Sequence, residues 1–237
     1  MGLLTFKGGI HPYEGKELSE SKPIQVLMPK GEMVFPLSQH IGAPAKPLVK
    51  KGDQVLAGQI IAEAGGFISA NVLSSVSGTV KAIEPRRVAN GAMVNSIIVE
   101  NDGEYKTVEG VGEDRDYTKL SKEEIRGIVK DAGIVGLGGA GFPTHVKLTP
   151  KDDSKIDYVI VNGAECEPYL TSDYRLMMEE PEKVVGGLKV MLQLFENAQG
   201  VIGIENNKPE AIKKMKELVK DEPKISVCEL LTKYPQG

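Results

Sequence analysis

Three short runs of β-branched and apolar residues, at positions 156–161, 201–204 and 225–231, alternate with two amphipathic helical patterns. Each helical pattern opens on a proline, Pro181 or Pro209, at a position where the missing N–H would have no intrahelical acceptor. Apolar residues then recur at helical spacing: Val184, Val185, Leu188, Leu192 and Phe195 in the first, Ile212, Met215, Leu218 and Val219 in the second. Strands separated by single helices return in the same direction through right-handed crossovers, so this stretch is confined to a parallel β-α-β-α-β sheet. Ligands of such sheets sit beyond the carboxyl ends of the strands. Here those ends read Asn162-Gly163-Ala164-Glu165-Cys166-Glu167, Glu205-Asn206-Asn207-Lys208 and Thr232-Lys233-Tyr234, which gathers hydrogen-bonding groups on one edge.

The preceding part of the chain has a different texture. From Val34 to Val99 short apolar runs are broken by Gly, Pro and Asp turn signals, the pattern of small antiparallel strands. Lys51-Gly52-Asp53 and Ala57-Gly58 read as turns between strands, and Val76-Ser77-Gly78-Thr79-Val80 repeats the theme. The arrangement resembles the barrel-sandwich hybrid of biotinyl and lipoyl carrier domains. A carrier needs a lysine at the tip of its exposed hairpin, yet positions 65–73 hold none. The fold is therefore expected without the swinging cofactor, as a docking module. A polar, acidic linker follows, and Ser121-Lys122-Glu123-Glu124 is a capping box that opens a helix carrying Ile125, Ile128, Val129 and Ala132 on one face. The expected organisation is an amino-terminal extension over residues 1–33, a β domain over 34–100, a linker over 101–118 and an α/β domain over 119–237.

Two such domains suit 237 residues. A net charge of -4, with both signs mixed along the chain, provides no field for nucleic acid or anionic lipid. Apolar runs such as Val159-Ile160-Val161 are far shorter than the roughly 18 residues a membrane span needs. The first residues lack a leader pattern, which makes the cytoplasm the default compartment. Cys166 and Cys228, the two cysteines, read as reduced thiols there and are too few for a four-cysteine iron–sulfur cluster.

The densest chemical signal is Gly136-Leu137-Gly138-Gly139-Ala140-Gly141-Phe142-Pro143-Thr144-His145-Val146-Lys147. Glycines at this density let the backbone come close to a ligand with its N–H groups exposed, as in phosphate cradles, and Lys147 adds a cation. Gly136, Gly138 and Gly141 match G-x-G-x-x-G, but the string follows a helix instead of a strand, so it is not the usual dinucleotide fingerprint. Taken alone, the loop leaves two readings open: ligand cradle, or turn that lets two elements pack. At the first strand exit, Asn162, Glu165 and Glu167 suit a ribityl chain, a ribose or a flavin edge better than a phosphate, which two carboxylates would repel.

Six separated strings carry a family resemblance: Phe6-Lys7-Gly8-Gly9-Ile10-His11-Pro12, Gln39-His40-Ile41-Gly42-Ala43, the 136–147 loop, Glu165-Cys166-Glu167-Pro168-Tyr169, Ile204-Glu205-Asn206-Asn207-Lys208-Pro209 and Thr232-Lys233-Tyr234-Pro235. In this order the chain resembles the C subunits of Rnf electron-transport complexes, relatives of the FMN- and NADH-binding subunit of bacterial respiratory complex I. The resemblance implies α/β plus β architecture: a barrel-sandwich hybrid β domain, then a Rossmann-like parallel β-α-β-α-β nucleotide-binding domain. It implies FMN held by Gly136, Gly138, Gly139, Gly141 and Lys147, with Asn162 and Glu165 contacting the flavin and Glu167 where NADH approaches. Ala164 and Leu137 stand where the complex I relatives carry an acidic residue and an arginine. No protein acid or base is implied at the reacting atom, because hydride transfer is the flavin's chemistry.

The implied function is electron exchange between NAD(H) and iron–sulfur centres of a membrane-bound, ion-translocating ferredoxin:NAD oxidoreductase. The implied partners are the other Rnf subunits, including membrane subunits, with NADH and, indirectly, ferredoxin. The expected location is peripheral, on the cytoplasmic side of the bacterial cell membrane. Family members continue with two [4Fe–4S] clusters absent from these residues, so the chain alone is expected to be inactive. The alternatives are a non-catalytic docking module of that complex, or a subunit of a related cobalamin or amino-acid reductase.

Overall fold

The computed structural model describes residues 3–237. The chain divides into two compact units, residues 27–151 and a second formed by the stretch up to residue 26 together with 152–237.

Unit 27–151 is built on two antiparallel sheets. The larger joins β1 (Glu32–Pro36), β7 (Met93–Asn101), β6 (Gly78–Arg87) and β3 (Gln54–Val55) in that order, and the smaller joins β2 (Lys46–Pro47), β4 (Ile60–Glu63) and β5 (Val72–Leu73). The central pair, β6 and β7, runs in register from Gly78 opposite Asn101 to Arg87 opposite Met93, with a bulge between Val80 and Ala82. Phe35, Val55, Ile61, Val76, Val80 and Ile97 fill a common core. Each is almost wholly buried, and each such side chain contributes about 1.5–3 kcal/mol of transfer free energy. The Lys51-Gly52 turn closes on Asp53, whose carboxylate accepts from the Lys50 amide at 2.9 Å. The 64–71 connection between β4 and β5 is pinned from inside: Asn71 Oδ1 accepts from the Ala64 amide, and the Ser69 hydroxyl donates to the Ala43 carbonyl.

The capping box forms as the sequence predicts. Ser121 Oγ accepts from the Glu124 amide at 3.2 Å, and the Glu124 carboxylate accepts from the Ser121 amide at 2.7 Å. It opens α1 (Lys122–Asp131), which buries Ile125 and is followed by a single turn, α2 (Thr144–Lys147). The Asp131 carbonyl accepts from Asn71 Nδ2 at 3.4 Å, and Arg126 Nε donates to the Leu148 carbonyl. The change of texture at the linker would assign residues 119–151 to the α/β half; by contacts they belong with the β sheets.

The second unit holds a parallel sheet in the order β10-β9-β8, from β8 (Tyr158–Gly163), β9 (Gln199–Glu205) and β10 (Ile225–Leu230). α3 (Ser172–Glu179) and α4 (Pro181–Leu192) connect β8 to β9, and α5 (Pro209–Leu218) connects β9 to β10. Pro181 and Pro209 are the first residues of their helices. Val185, Leu188, Ile202, Ile204, Ala211 and Met215 form the core between helices and sheet. The segment from Leu3 to Glu20 is part of this unit. Leu4 lies parallel to β10, donating to the Glu229 carbonyl and accepting from the Leu231 amide, and Ile10 pairs with Tyr234 in both directions.

Among the described residues, no helix is long and apolar enough to cross a membrane.

Candidate functional site

The glycine loop lies in unit 27–151. Val135 bridges Pro143, and the Gly136 amide donates to the Phe142 carbonyl at 2.8 Å, so positions 137–141 form the tip of a small closed loop. Within it the glycines divide into two kinds. A Cβ at Gly141, whose φ is 59°, would stand 2.9 Å from the Gln39 carbonyl oxygen and 3.0 Å from His40 Cα. Gly141 is thus required by packing, in a left-handed conformation that a side chain would strain. A Cβ added at Gly138 or Gly139 would meet nothing within 4 Å, and both residues are exposed. The Ala140 carbonyl accepts from the Ile41 amide at 3.0 Å, which fastens the tip from one side. The amides of residues 137–140 donate to no other described residue. Exposed amides with no internal acceptor are open to water or to an anion such as a phosphate. The Lys147 ammonium lies 3.5 Å from where a Cβ on Gly136 would stand, beside that tip. The pKa of His145, on the same turn, is held below its ordinary value by burial and by the Lys130 charge.

Asn162, Glu165 and Glu167 lie in the other unit, at the exit of β8. Asn162 is exposed, and its Oδ1 accepts from the Ala164 amide at 3.2 Å, turning the chain out of the strand. Glu167 is exposed as well. Glu165 is different. It is buried, and its carboxylate accepts from the amides of Asp173 at 2.7 Å and Tyr174 at 3.2 Å, the first turn of α3. Thr171, the residue in the capping position, makes no side-chain cap, so the buried carboxylate six residues earlier neutralises the positive end of the helix. Its role in the fold is to fix α3 against the loop.

The residues that sequence reasoning gathers as a polar ligand-binding edge are largely engaged with one another. Lys208 and Glu205, 4% and 0% exposed, meet at 3.5 Å. The Lys208 ammonium also donates to the Ala164 carbonyl at 2.7 Å and to Asn207 Oδ1 at 3.1 Å, and Glu205 accepts from the Lys233 amide at 3.2 Å. Burial pushes the Glu205 carboxyl up and the Lys208 ammonium down, each partly offset by the other's charge. The Lys233 ammonium donates to the carbonyls of Phe6 and Gly8 and lies over the Phe6 ring. The amino-terminal segment supplies one more cation: Lys16, 8% exposed, reaches the 165–170 loop. Nothing in the sequence marks Lys16 for that place, because its partners lie about 150 positions away.

The exposed amides of residues 137–140 and the polar exit of β8 belong to separate units. Comparison with known families gives the chain its class. Residues 4–104 match the RnfC barrel sandwich hybrid domain and residues 129–237 match the Nuo51 FMN-binding domain. The C subunit of the proton-translocating ferredoxin:NAD(+) oxidoreductase complex of Clostridium ljungdahlii is 45% identical over 99% of this chain, covering 51% of the relative. The C subunit of the Na(+)-translocating complex of Acetobacterium woodii is 46% identical over 98% of this chain, covering 53% of the relative. The chain is thus similar to RnfC proteins along nearly its whole length, and it spans about half the length of these curated relatives. An NAD+-reducing [NiFe]-hydrogenase, solved in its air-oxidized state, aligns at a TM-score of 0.38 and 21% identity, over 48% of this chain and 21% of its own, too slight a likeness to build on.

Proposed function

We propose that this chain carries the flavin-holding part of an RnfC protein, within an ion-translocating complex that moves electrons between NAD(H) and ferredoxin. The observation that carries the reading is the exposed run of undonated amides at residues 137–140, in the stretch that matches an FMN-binding domain. A phosphate monoester fits that tip: Gly138 and Gly139 admit it to the backbone without steric cost, and Lys147 supplies charge. On this reading Gly136 closes the loop, Gly141 lets it pack, and the parallel sheet is a Rossmann-like nucleotide-binding unit. Asn162 and Glu165 meet the flavin, and Glu167 faces the incoming nicotinamide. Bound FMN would supply hydride and single-electron chemistry. The chain's own residues bind and orient it and exclude water. Cys166 and Cys228 do not fit a [4Fe–4S] cluster, which takes four thiolates, so onward transfer falls to centres outside these residues. The β sheets serve as a docking module toward other subunits of the complex, membrane subunits included, on the cytoplasmic face of the membrane.

The test is a titration of the chain with FMN, followed by flavin fluorescence. We expect saturable quenching, too weak for flavin to be retained stoichiometrically on purification, and no oxidation of NADH by the chain alone. Gly138→Val is expected to abolish the quenching, and Lys147→Ala to weaken it about tenfold, the loss of roughly 1.4 kcal/mol. Quenching that is indifferent to both substitutions would show that the loop is a packing turn only.

A further inference from the structure

We propose that Lys16 is a positioning residue for the strand-exit loop that carries Glu165 and Glu167, an inference that rests on the flavin reading of that loop. The geometry is that of a staple. The Lys16 ammonium donates to the carbonyl oxygens of Glu165 at 2.6 Å, Glu167 at 2.9 Å and Leu170 at 2.7 Å. An ammonium has three donors, so its capacity is filled by main-chain groups of this one loop. Carbonyls of three residues converge on a single point because the loop turns sharply twice: Glu165 and Tyr169 both adopt left-handed backbone conformations, φ 50° and 67°. A bare loop with two non-glycine residues so placed would relax toward ordinary backbone angles and splay its carbonyls toward solvent. The buried cation removes that option, since breaking any one of the contacts leaves a charge donor unmatched away from water.

The segment bearing Lys16 is itself fitted to the loop. The Tyr169 amide donates to the Glu14 carbonyl at 2.7 Å, the Ser19 hydroxyl meets Thr171 Oγ1 at 2.8 Å, and a Cβ at Gly15, where φ is 62°, would fall 2.3 Å from the Tyr169 ring. Lys16 follows directly on that glycine, so the close approach of the ring aims the ammonium into the loop. Lys16 touches Glu165 and Glu167 only through their backbone carbonyls. It therefore acts on a ligand through the position of those two side chains.

The experiment compares Lys16→Met with the unsubstituted chain by hydrogen exchange, reading the amides of Tyr169, Asp173 and Tyr174 against those of β9 inside the sheet. A second variant, Val219→Ala, truncates a buried side chain at the end of α5 and controls for general loss of stability. We expect Lys16→Met to speed exchange of the three loop and α3 amides at least about tenfold while β9 stays protected. We expect Val219→Ala to move the two regions together. FMN affinity, titrated with excess flavin, is expected to fall about tenfold in Lys16→Met and to hold in Val219→Ala. Unchanged loop exchange in Lys16→Met overturns the proposal, as does faster exchange in β9 to the same degree, or flavin affinity equal to that of the parent. A parent chain that does not bind flavin at all refutes the flavin reading instead, and the exchange data then decide the staple by themselves.

Discussion

Lys208→Met isolates the energetics of the pair beneath the sheet's carboxyl edge. The substitution keeps side-chain length and apolar bulk but removes the ammonium, leaving Glu205, which is 0% exposed, with the Lys233 amide and the Lys16 charge to stabilise its carboxylate. Removing one member of a buried ion pair costs about 3–5 kcal/mol because the partner's charge stays desolvated. That is a large part of the roughly 5–15 kcal/mol that holds a domain together. The sign of the pH dependence follows from Glu205. Burial raises its carboxyl pKa in the folded chain, so the folded state prefers the protonated acid, and folding is penalised as pH rises from the unfolded value toward and past the folded one. Without Lys208 the folded value rises further. The deficit of Lys208→Met should be largest at the high-pH end and should shrink as pH falls toward the unfolded carboxyl value, as Glu205 takes up a proton. Urea denaturation across that range, followed by circular dichroism, measures it. Glu205→Gln in the Lys208→Met background is expected to recover part of the loss at high pH. A deficit that is flat with pH, or a double variant as unstable as the two single losses added together, would refute the reasoning.

Three further outcomes are expected. Gly141→Ala should destabilise unit 27–151 by about 1–3 kcal/mol, since it adds a Cβ to left-handed backbone against Gln39, whereas Gly138→Ala should cost less than about 1 kcal/mol; thermal melts compare the two. Glu165→Gln should loosen the start of α3 by about 1–2 kcal/mol through loss of the charged cap, read as faster exchange of the Asp173 and Tyr174 amides. The β module should carry no lipoyl or biotinyl group, because positions 65–73 contain no lysine; an intact mass with either adduct would contradict this.

The parallel strands are legible in the sequence because β-branched runs bounded by turn residues leave few alternatives, and α1 because a capping box is a local signal: both ends of the interaction lie within four residues. α3 is not legible. Its cap is the carboxylate of Glu165, outside the helix and not at the capping position, so the local sequence Thr171-Ser172-Asp173 gives no hint of what satisfies its first amides. The strand-end polar residues read as facing a ligand because sequence shows that Glu205 and Lys208 are near each other but not that both are buried. The glycine string reads as backbone made accessible, yet only the folded chain separates Gly141, which packs, from Gly138 and Gly139, which stay open. Lys16 escapes because a contact between residue 16 and residues 165–170 has no signature along the chain.

The discontinuous unit sets a timetable for synthesis. Residues 27–151 form one continuous stretch, so the β sheets can close while the ribosome is still adding the remainder of the chain. Leu4 and Ile10 pair with Leu230 and Tyr234, more than two hundred positions later. At roughly 5–20 residues per second the opening segment waits on the order of ten seconds or more for those partners to be made. The β module completed in the meantime is then a folded insert between the two halves of that pairing.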